Sequence, residues 1–323
     1  MAVRAHNFLP KAALGAAIGL TLGSCNGAGI ERGAAAGENT SVAVNTTATE
    51  TVQPVKVDLP PAPVPAPEPV GPTTFLYDGA LTQGGWIRGQ VPAGTTSARL
   101  GDQALSLSDD GRFFAAFDRD AGTEAVLTAQ LSDGRIISSS VAVSPRDWNI
   151  ERVNVARRAG GASASFMERR RPELAQIGAA RRVNADSDGW QQDFVWPVKG
   201  RISGRFGSQR IYRGEPGSYH SGLDIATGES GTPFVSPADG VVTLATTRPF
   251  SLEGYLLIID HGMGLNSAFL HASRLAVSEG DTVRQGQYIG NIGSTGRATG
   301  PHLHWGIKWQ NTRLDPLLFV GPT

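Results

Sequence analysis

Several residues in the last third of the chain have the types and spacing of a metal site. His220 is followed four residues later by Asp224, and His302 and His304 are two residues apart. Imidazole nitrogens and carboxylate oxygens are good zinc ligands, and a site with three protein ligands keeps one position open for water. A further histidine, His271, lies between the two motifs. The chain has six histidines, and five fall between positions 220 and 304. This concentration indicates a catalytic metal centre.

The motif formed by His302 and His304 must be positioned by a β-strand. Side chains two residues apart in a strand point to the same face of the sheet. A strand over residues 302–309 would therefore project His302 and His304 into one cleft. An imidazole and a carboxylate from His220 and Asp224 could meet His304 there, and two nitrogens with one oxygen suit zinc.

The region from residue 195 to 319 is predicted to be all-β. Apolar runs rich in β-branched residues alternate with glycine-containing turns, and helical periodicity is lacking. Short loops favour a compact antiparallel sheet with a groove on one face. The predicted strands cover residues 241–245, 255–260, 265–271, 287–292 and 302–309.

The ordered set of motifs resembles the LytM/lysostaphin-like zinc metallopeptidases, which have a Duplicated Hybrid Motif fold and cut peptide cross-links in peptidoglycan. That family has His-x-Gly-x-Asp, a Gly-Thr-Pro turn, His-Gly, a lone His and Gly-x-x-x-Gly-Pro-His-x-His in this order. The match covers about the last third of the chain. The corresponding residues here are 220–224, 231–233, 261–262, His271 and 296–304.

The resemblance implies roles for five residues. It makes His220, Asp224 and His304 the ligands of Zn²⁺. It makes His271 and His302 the histidines that stay off the metal and handle the water and the tetrahedral intermediate. Zinc would lower the pKa of its water from 15.7 to about 7. Either His302 or His271 would accept the water proton, and the sequence does not distinguish between them.

Departures from the family pattern are small. Phe269 stands where the family often has tyrosine, Ala272 where leucine is usual and Trp305 where phenylalanine is common. The hydroxyl missing at position 269 is expected to bear on substrate contacts and leaves the ligand set intact. His261 is expected to be a structural turn histidine. The small side chains of the loop 293–300 would let a peptide approach the metal closely.

The amino-acid composition limits the number of domains and the classes of function that the chain could have. With 323 residues the chain has room for two domains. Its formal net charge is zero and only 18% of its residues are charged, so nothing in the composition indicates a protein that binds nucleic acid or an acidic polymer. The 41 glycines and 20 prolines favour turns, linkers and short strands over long helices.

Residues 1–24 have the positively charged start and short apolar core of an export signal peptide. The segment ends at Leu22-Gly23-Ser24-Cys25, which resembles a bacterial lipobox, and Cys25 is the chain's only cysteine. We expect Cys25 to carry a lipid anchor; an ordinary signal peptide with a chance cysteine is the alternative. Asn26 replaces the aspartate linked to inner-membrane retention, which favours the outer membrane, facing the periplasm. Residues 25–72, rich in Pro, Ala and Thr, are predicted to be a disordered tether.

Two further segments lie between the tether and the histidine-rich region. Hairpin turns and alternating runs predict a small β-sandwich over residues 73–145. Residues 146–194 are predicted to be an arginine-rich, partly helical bridge, with Pro172 in the first turn of a helix over residues 173–183. Its basic face would contact an anionic wall component or a partner; the simpler alternative is a solvated helix and linker. Three residues would share its apolar side: Leu174, Ile177 and Ala180.

These observations predict a lipid-anchored zinc endopeptidase that hydrolyses peptide cross-links between the stem peptides of peptidoglycan. One alternative is a regulator without hydrolytic activity, since some relatives have lost metal ligands and activate cell-wall amidases, binding peptidoglycan or a partner protein. The presence here of all three ligands and both accessory histidines favours the enzyme. The other alternative is a structural lipoprotein whose metal only stabilises the fold. An open site with three ligands argues against it.

Overall fold

The structure, a computed structural model, describes residues 70–157 and 163–321. Within these ranges, twenty strands form four sheets, and one α-helix and two 3₁₀ turns complete the regular structure. The large C-terminal sheet and both N-terminal sheets are antiparallel throughout. The all-β prediction is confirmed. Cys25 and the predicted signal peptide lie outside the described residues.

Seven strands come before residue 145 and form two sheets. One sheet has the strand order β1-β2-β5 and the other β4-β3-β6-β7. Ile87, Phe113, Leu127 and Val141 from these strands are fully buried, as expected where two sheets close on one core. This is the small β-sandwich that the alternating sequence predicts. Its strands are β1 (Leu76–Gly79), β2 (Trp86–Gln90), β3 (Thr95–Leu100), β4 (Gln103–Ala104), β5 (Arg112–Ala116), β6 (Glu124–Leu131) and β7 (Ile136–Ala142).

The sandwich shares its core with the C-terminal region. The ring of Trp86 lies 5.2 Å from that of Phe319, and the ring of Phe114 lies 6.3 Å from that of Trp309. The indole nitrogen of Trp86 donates a hydrogen bond of 3.1 Å to the carbonyl oxygen of Leu318. Buried residues of both regions therefore form one continuous hydrophobic cluster.

The helix α1 (Ala164–Ala180) is longer than predicted. It begins at Ala164 because the side chain of Ser163 caps it, accepting a hydrogen bond from the backbone N–H of Phe166. Pro172 therefore lies inside the helix, and the predicted start at residue 173 is wrong. An interior proline is unfavourable by about 3 kcal/mol, so tertiary contacts of α1 must offset it. None of the helices in the described ranges is long and apolar enough to cross a membrane.

The C-terminal region is built on a ten-stranded sheet with the path β17-β14-β15-β16-β19-β12-β9 and three side strands. A separate small sheet joins β8, from the segment predicted as a bridge, to β10 and β11. The strands are β8 (Ile150–Val153), β9 (Arg201–Gly204), β10 (Gln209–Tyr212), β11 (Glu215–Pro216), β12 (Leu223–Ala226), β13 (Pro233–Val235), β14 (Gly240–Ala245), β15 (Tyr255–Asp260), β16 (Leu265–Leu275), β17 (Thr282–Val283), β18 (Tyr288–Ile292), β19 (Leu303–Trp309) and β20 (Thr312–Leu314); the 3₁₀ turns are Gly189–Gln191 and Pro316–Leu318.

All five predicted C-terminal strands are present, with shifted ends in some cases. The strand predicted over 265–271 continues to Leu275, and the strand predicted over 302–309 begins at Leu303, with His302 paired to Gly293 in an isolated bridge. The strands that were missed have two to four residues each. Such short segments carry too few residues for a recognisable alternation.

One face of this sheet forms a groove bordered by α1. Along β19, alternate residues from Leu303 to Trp309 are buried, while His304, Gly306 and Lys308 point to the opposite face and are half-buried. On the strands beside β19, that same face is covered by the helix. Ala180 and Ile177 of α1 pack there with Leu244, Phe250, Leu256, Ile258, Ala268 and Leu270.

Candidate metal centre

Three of the predicted site residues converge at the centre of the large sheet. Asp224 on β12 and His304 on β19 face each other across neighbouring strands, and His220 lies in the loop that leads into β12. The Asp224 Oδ1 atom lies 2.8 Å from His304 Nδ1 and 3.1 Å from His220 Nε2. The two histidine nitrogens are 3.2 Å apart. One atom from each residue therefore points at a common centre.

This donor set fits zinc. Ligands at about 2.0–2.1 Å from a tetrahedral ion are about 3.3 Å from one another, and the three donor atoms are 2.8–3.2 Å apart. Within the described part of the chain, His220, Asp224 and His304 are the one group of three or more His, Cys, Asp or Glu residues with this convergence. The site supplies three protein ligands, as catalytic zinc sites do.

The backbone around the ligands fixes their orientation. His220 Nδ1 lies 3.1 Å from the carbonyl oxygen of Arg205 and donates to it, which leaves the Nε2 lone pair for the metal. Gly222 is required by close packing, because a Cβ atom there would lie 2.7 Å from His304 Nε2. A Cβ atom at Gly204 would clash with the Asp224 carboxylate. The glycine of the His-x-Gly-x-Asp motif therefore leaves the space that the His304 ring occupies.

Electrostatics favour an ionised Asp224. Burial alone would raise the pKa of its carboxyl group, but hydrogen bonds from His220 and His304 hold that pKa well below its usual range. The pKa of His304 is lowered, mainly by burial. For His220, the effect of burial is outweighed by Asp224, which raises its pKa. A half-buried carboxylate shared by two imidazoles is well suited to bind a cation.

His271 lies beside these three residues in an unusual backbone conformation. Its φ angle is +65°, in the left-handed region that few non-glycine residues adopt. At this point β16 stops pairing with β19, at Leu270, and starts pairing with β18, at Ala272. The backbone N–H of His271 donates 2.8 Å to the carbonyl of Glu253. The strained residue turns its side chain toward the ligands: the His271 and His304 ring centroids are 6.3 Å apart.

His302 is the second histidine at the edge of the cluster. Its Nε2 atom lies 3.8 Å from Asp224 Oδ1, outside hydrogen-bonding distance, and its ring centroid is 4.9 Å from that of His271. Its Nδ1 atom is held 2.8 Å from the carbonyl oxygen of Gly300. The side chains of His302, just before β19, and of His304 thus lie near the same carboxylate, but only His304 joins the convergent set.

Both accessory histidines have the tautomer of a general base. His271 Nδ1 lies 2.9 Å from the carbonyl oxygen of Thr295, and the corresponding atom of His302 donates to Gly300. Since each Nδ1 carries the proton, each Nε2 has a free lone pair. Burial, together with the neighbouring His302 and His304, lowers the pKa of His271 despite its bond to Thr295. His271 is therefore neutral and able to accept a proton at neutral pH.

The structure does not bring the remaining predicted residues to this site. His261 is fully buried, between the carbonyl of Asp239 at 2.7 Å and the hydroxyl of Ser267 at 2.9 Å, so its structural role is confirmed. Phe269 is fully buried against Phe234, with ring centroids 5.5 Å apart. The expectation that position 269 bears on substrate contacts is therefore wrong, because its side chain points away from the groove.

One contact to the site was not predicted. The guanidinium group of Arg170, on α1, bonds both carboxylate oxygens of Glu253 at 2.5–2.6 Å, and its side chain is only 7% exposed. Glu253 is the residue whose carbonyl holds the backbone of His271. The prediction that this helix is solvated is therefore wrong at Arg170. No sequence signal links Arg170 to a glutamate 83 residues away.

Comparisons with known proteins agree with this geometry. The sequence profile of peptidase family M23 matches residues 218–316. Peptidoglycan DD-endopeptidase ShyA of Vibrio cholerae is 39% identical over 127 residues, which are 37% of this chain and 28% of ShyA. The lipoprotein NlpD/LppB homolog of Pseudomonas aeruginosa is 38% identical over 134 residues, which are 41% of this chain and 40% of that protein. The chain thus matches less than half the length of either relative.

A solved structure extends the similarity beyond residues 218–316. A crystal structure of a Pseudomonas aeruginosa protein assigned to peptidase M23 superposes with a TM-score of 0.56 at 26% sequence identity. The superposition covers 74% of this chain and 94% of the other. Part of the region that precedes the metal centre therefore has the same arrangement in both proteins.

Proposed function

We propose that the protein is a zinc-dependent endopeptidase that hydrolyses peptide cross-links of peptidoglycan, on the premise that residues 218–316 match peptidase family M23. The observation that carries the proposal is the convergence of His220, Asp224 and His304 beside two non-convergent histidines with free Nε2 atoms. A closed structural site would have neither an open position nor adjacent bases.

The ligand roles follow from the donor atoms. His220 contributes Nε2, Asp224 contributes Oδ1 and His304 contributes Nδ1. These three atoms would hold a zinc ion, which would supply Lewis acidity to polarise the scissile carbonyl and to acidify water. The Arg205 carbonyl keeps the His220 ring in the ligating tautomer.

Proton transfer falls to His302 and His271. The Nε2 atom of either ring accepts a proton from the attacking water, while its Nδ1–H stays bound to a backbone carbonyl. The resulting imidazolium stabilises negative charge on the carbonyl oxygen and then gives its proton to the leaving amine nitrogen. The two rings are adjacent, with centroids 4.9 Å apart, so either one is placed to take this proton and carry it to the leaving amine.

Digestion of purified sacculi tests the proposal. The full-length protein is incubated with peptidoglycan with and without a chelator, and the released muropeptides are identified by mass spectrometry. We expect cross-linked dimers to be converted to monomers, with activity lost on chelation and restored by zinc. Intact cross-links in every sample would refute the enzyme and leave the regulator of cell-wall amidases, which would then be tested by adding such an amidase.

We also propose that Cys25 carries the lipid anchor and holds the protein in the cell envelope at the outer membrane. The lipobox-like sequence and the relative named a lipoprotein support this. Stable anchoring takes more than one acyl chain, so the anchored form is expected in the membrane fraction and labelled by palmitate. Cys25→Ser should abolish the label and the processing of the precursor. A wild-type protein found free in the periplasm, with its N-terminus beyond Cys25, would contradict the assignment.

A further inference from the structure

A cavity of about 240 Å³ extends the groove away from the metal centre. It is bounded by α1 on one side and by β19 and β20 on the other. The His304 ring lies at one end, and Gly306, which has no side chain, leaves the floor open toward Lys308. The cavity therefore reaches the metal centre at one proposed ligand, His304, whereas His220 and Asp224 line a separate cavity.

The cavity is strongly cationic. Arg181, Lys308 and Arg313 line it, and within the described residues none of the three forms a salt bridge with an acidic group. The acidic residue of the lining, Glu253, is engaged by both terminal nitrogens of Arg170. Three cationic side chains thus line the cavity without a direct ion pair, although Arg313 is exposed and its guanidinium also lies 5.8 Å from the ring of Tyr219.

Two details show that this arrangement of cationic groups is energetically unfavourable when no ligand is bound. Lys308 and Arg313 stand directly opposite each other in the pairing of β19 with β20, and like charges at such a position repel. The Nε atom of Arg181 is buried and has no hydrogen-bond partner among the described residues. A buried N–H group without a partner is rare in folded proteins and calls for a ligand or water.

The protonation of Lys308 agrees with this picture. Burial, with the neighbouring Arg181 and Arg313, lowers the pKa of its ammonium group to about 8. An anion in the cavity would reverse the repulsion and stabilise the charged form.

We propose, on the basis of the proposed function, that Arg181, Lys308 and Arg313 form a substrate subsite that binds a free carboxylate of the peptide at a distance from the scissile bond. A carboxylate suits the cavity because it accepts hydrogen bonds on two oxygens from guanidinium and ammonium donors. It would give the buried Nε of Arg181 a partner and neutralise the opposed pair. Nothing in the metal chemistry itself requires these three residues.

The strand gives the subsite a defined distance from the reaction. His304 and Lys308 are four residues apart on one face of β19, which is about 13 Å at 3.3 Å per residue. An extended peptide lying along the groove spans this distance with about four residues. The recognised carboxylate therefore belongs to a group three to four residues from the hydrolysed bond, on the side toward Lys308.

Chemical amidation of the substrate tests the subsite. The full-length zinc-loaded protein and its Lys308→Gln and Arg181→Gln variants digest untreated sacculi and sacculi whose carboxylates have been converted to carboxamides. Arg99→Gln is the matched control, because Arg99 is an exposed cation on β3, outside the cavity. Circular dichroism and zinc content establish that each variant is folded and loaded.

On untreated sacculi, we expect kcat/KM to fall about ten- to hundredfold in the two cavity variants and to stay unchanged in Arg99→Gln, as charge-assisted hydrogen bonds are lost. On amidated sacculi the wild type should fall to the level of the variants. Equal rates of wild type and Lys308→Gln on untreated sacculi would overturn the subsite. A loss of the same size on both substrates would also overturn it, because the cations would then act through the fold.

Binding separates this inference from the proposed function. In co-sedimentation with chelated protein, the wild type should bind untreated sacculi more tightly than amidated sacculi, and Lys308→Gln should lose that preference. This result without hydrolysis by the zinc form would support the subsite and refute the endopeptidase. Binding that depends on Lys308 but survives amidation would assign the cavity to a phosphate of the wall and overturn the carboxylate.

Discussion

The Nδ1 atom of His304 lies 2.8 Å from Oδ1 of Asp224, although the two residues are 80 positions apart in the chain. The antiparallel pairing of β12 with β19 puts them directly opposite each other. Ligand geometry is thus fixed by sheet register, because a slip of one residue would turn one of the two side chains to the other face.

His304→Ala should abolish both zinc binding and hydrolysis. The substitution removes one of three donor atoms and leaves two, too few for tight binding of zinc. Zinc is measured by elemental analysis of the purified protein, and activity by digestion of sacculi. Stoichiometric zinc in this variant would contradict the ligand assignment.

His302→Ala should separate metal binding from turnover. Its Nε2 atom lies 3.8 Å from Asp224 Oδ1 and does not join the convergent set, so zinc should be retained. We expect kcat to fall about 100- to 10,000-fold, the range for lost general acid–base catalysis. His304→Ala, which should lose its zinc, is the comparison. A His302→Ala protein without zinc would make His302 a ligand instead.

Arg170→Met should lower both stability and activity. It leaves Glu253, whose side chain is 15% exposed, without its main partner, and breaking such a pair costs about 3 kcal/mol of unfolding free energy. Activity should fall too, since the carbonyl of Glu253 holds the backbone of His271. Urea unfolding and digestion assays measure the two effects. Arg171→Met, at an exposed position of the same helix, is the control, and equal stability of the two variants would contradict the prediction.

Acid should destabilise the metal-free protein through His261. Burial lowers the pKa of His261 to about 4 in the folded protein, whereas the unfolded chain titrates near 6.5. Between these values the unfolded chain binds the additional proton, so the free energy of unfolding falls as pH drops from about 6.5 to about 4, by about 3 kcal/mol.

The same trend is expected from His271 and His304, whose pKa values are also lowered. The contribution of His261 is therefore measured as a difference, by urea unfolding of wild type and His261→Gln in chelator at several pH values. The variant should show a shallower loss of stability on acidification. Parallel curves for the two proteins would show that His261 does not carry the effect.

The convergence of His220, Asp224 and His304 could be anticipated from the sequence, because few residue types can bind zinc and the order of the motifs resembles that of a known family. The carbonyl groups that orient them could not be predicted. Every residue has a carbonyl, so nothing distinguishes Arg205, Thr295 or Gly300 before the chain is folded. The same holds for the left-handed backbone of His271, which arises where β16 changes its pairing partner.

The helix α1 shows a second reason why sequence-based prediction fails. Pro172 favours a helix start, because proline is common in the first turn, but the helix begins nine residues earlier, at the cap formed by Ser163. The helix passes through Pro172 because its contacts with the sheet offset the local preference. Local sequence preferences predict the ends of a helix or strand well where neighbouring residues determine them. They predict these ends less well where contacts with residues distant in sequence stabilise the element, as in α1.

The core shared by the sandwich and the peptidase domain has a consequence for how the protein melts. Trp86 and Phe114 pack on Phe319 and Trp309, and Arg146 forms a 2.8 Å ion pair with Asp315, whose side chain is 2% exposed. Heat cannot release either region without exposing these groups, so both should unfold in one cooperative calorimetric transition. In thermodynamic terms the β-sandwich and the C-terminal region are one unit, and shortening the chain to residues 218–316 would remove one side of its hydrophobic core.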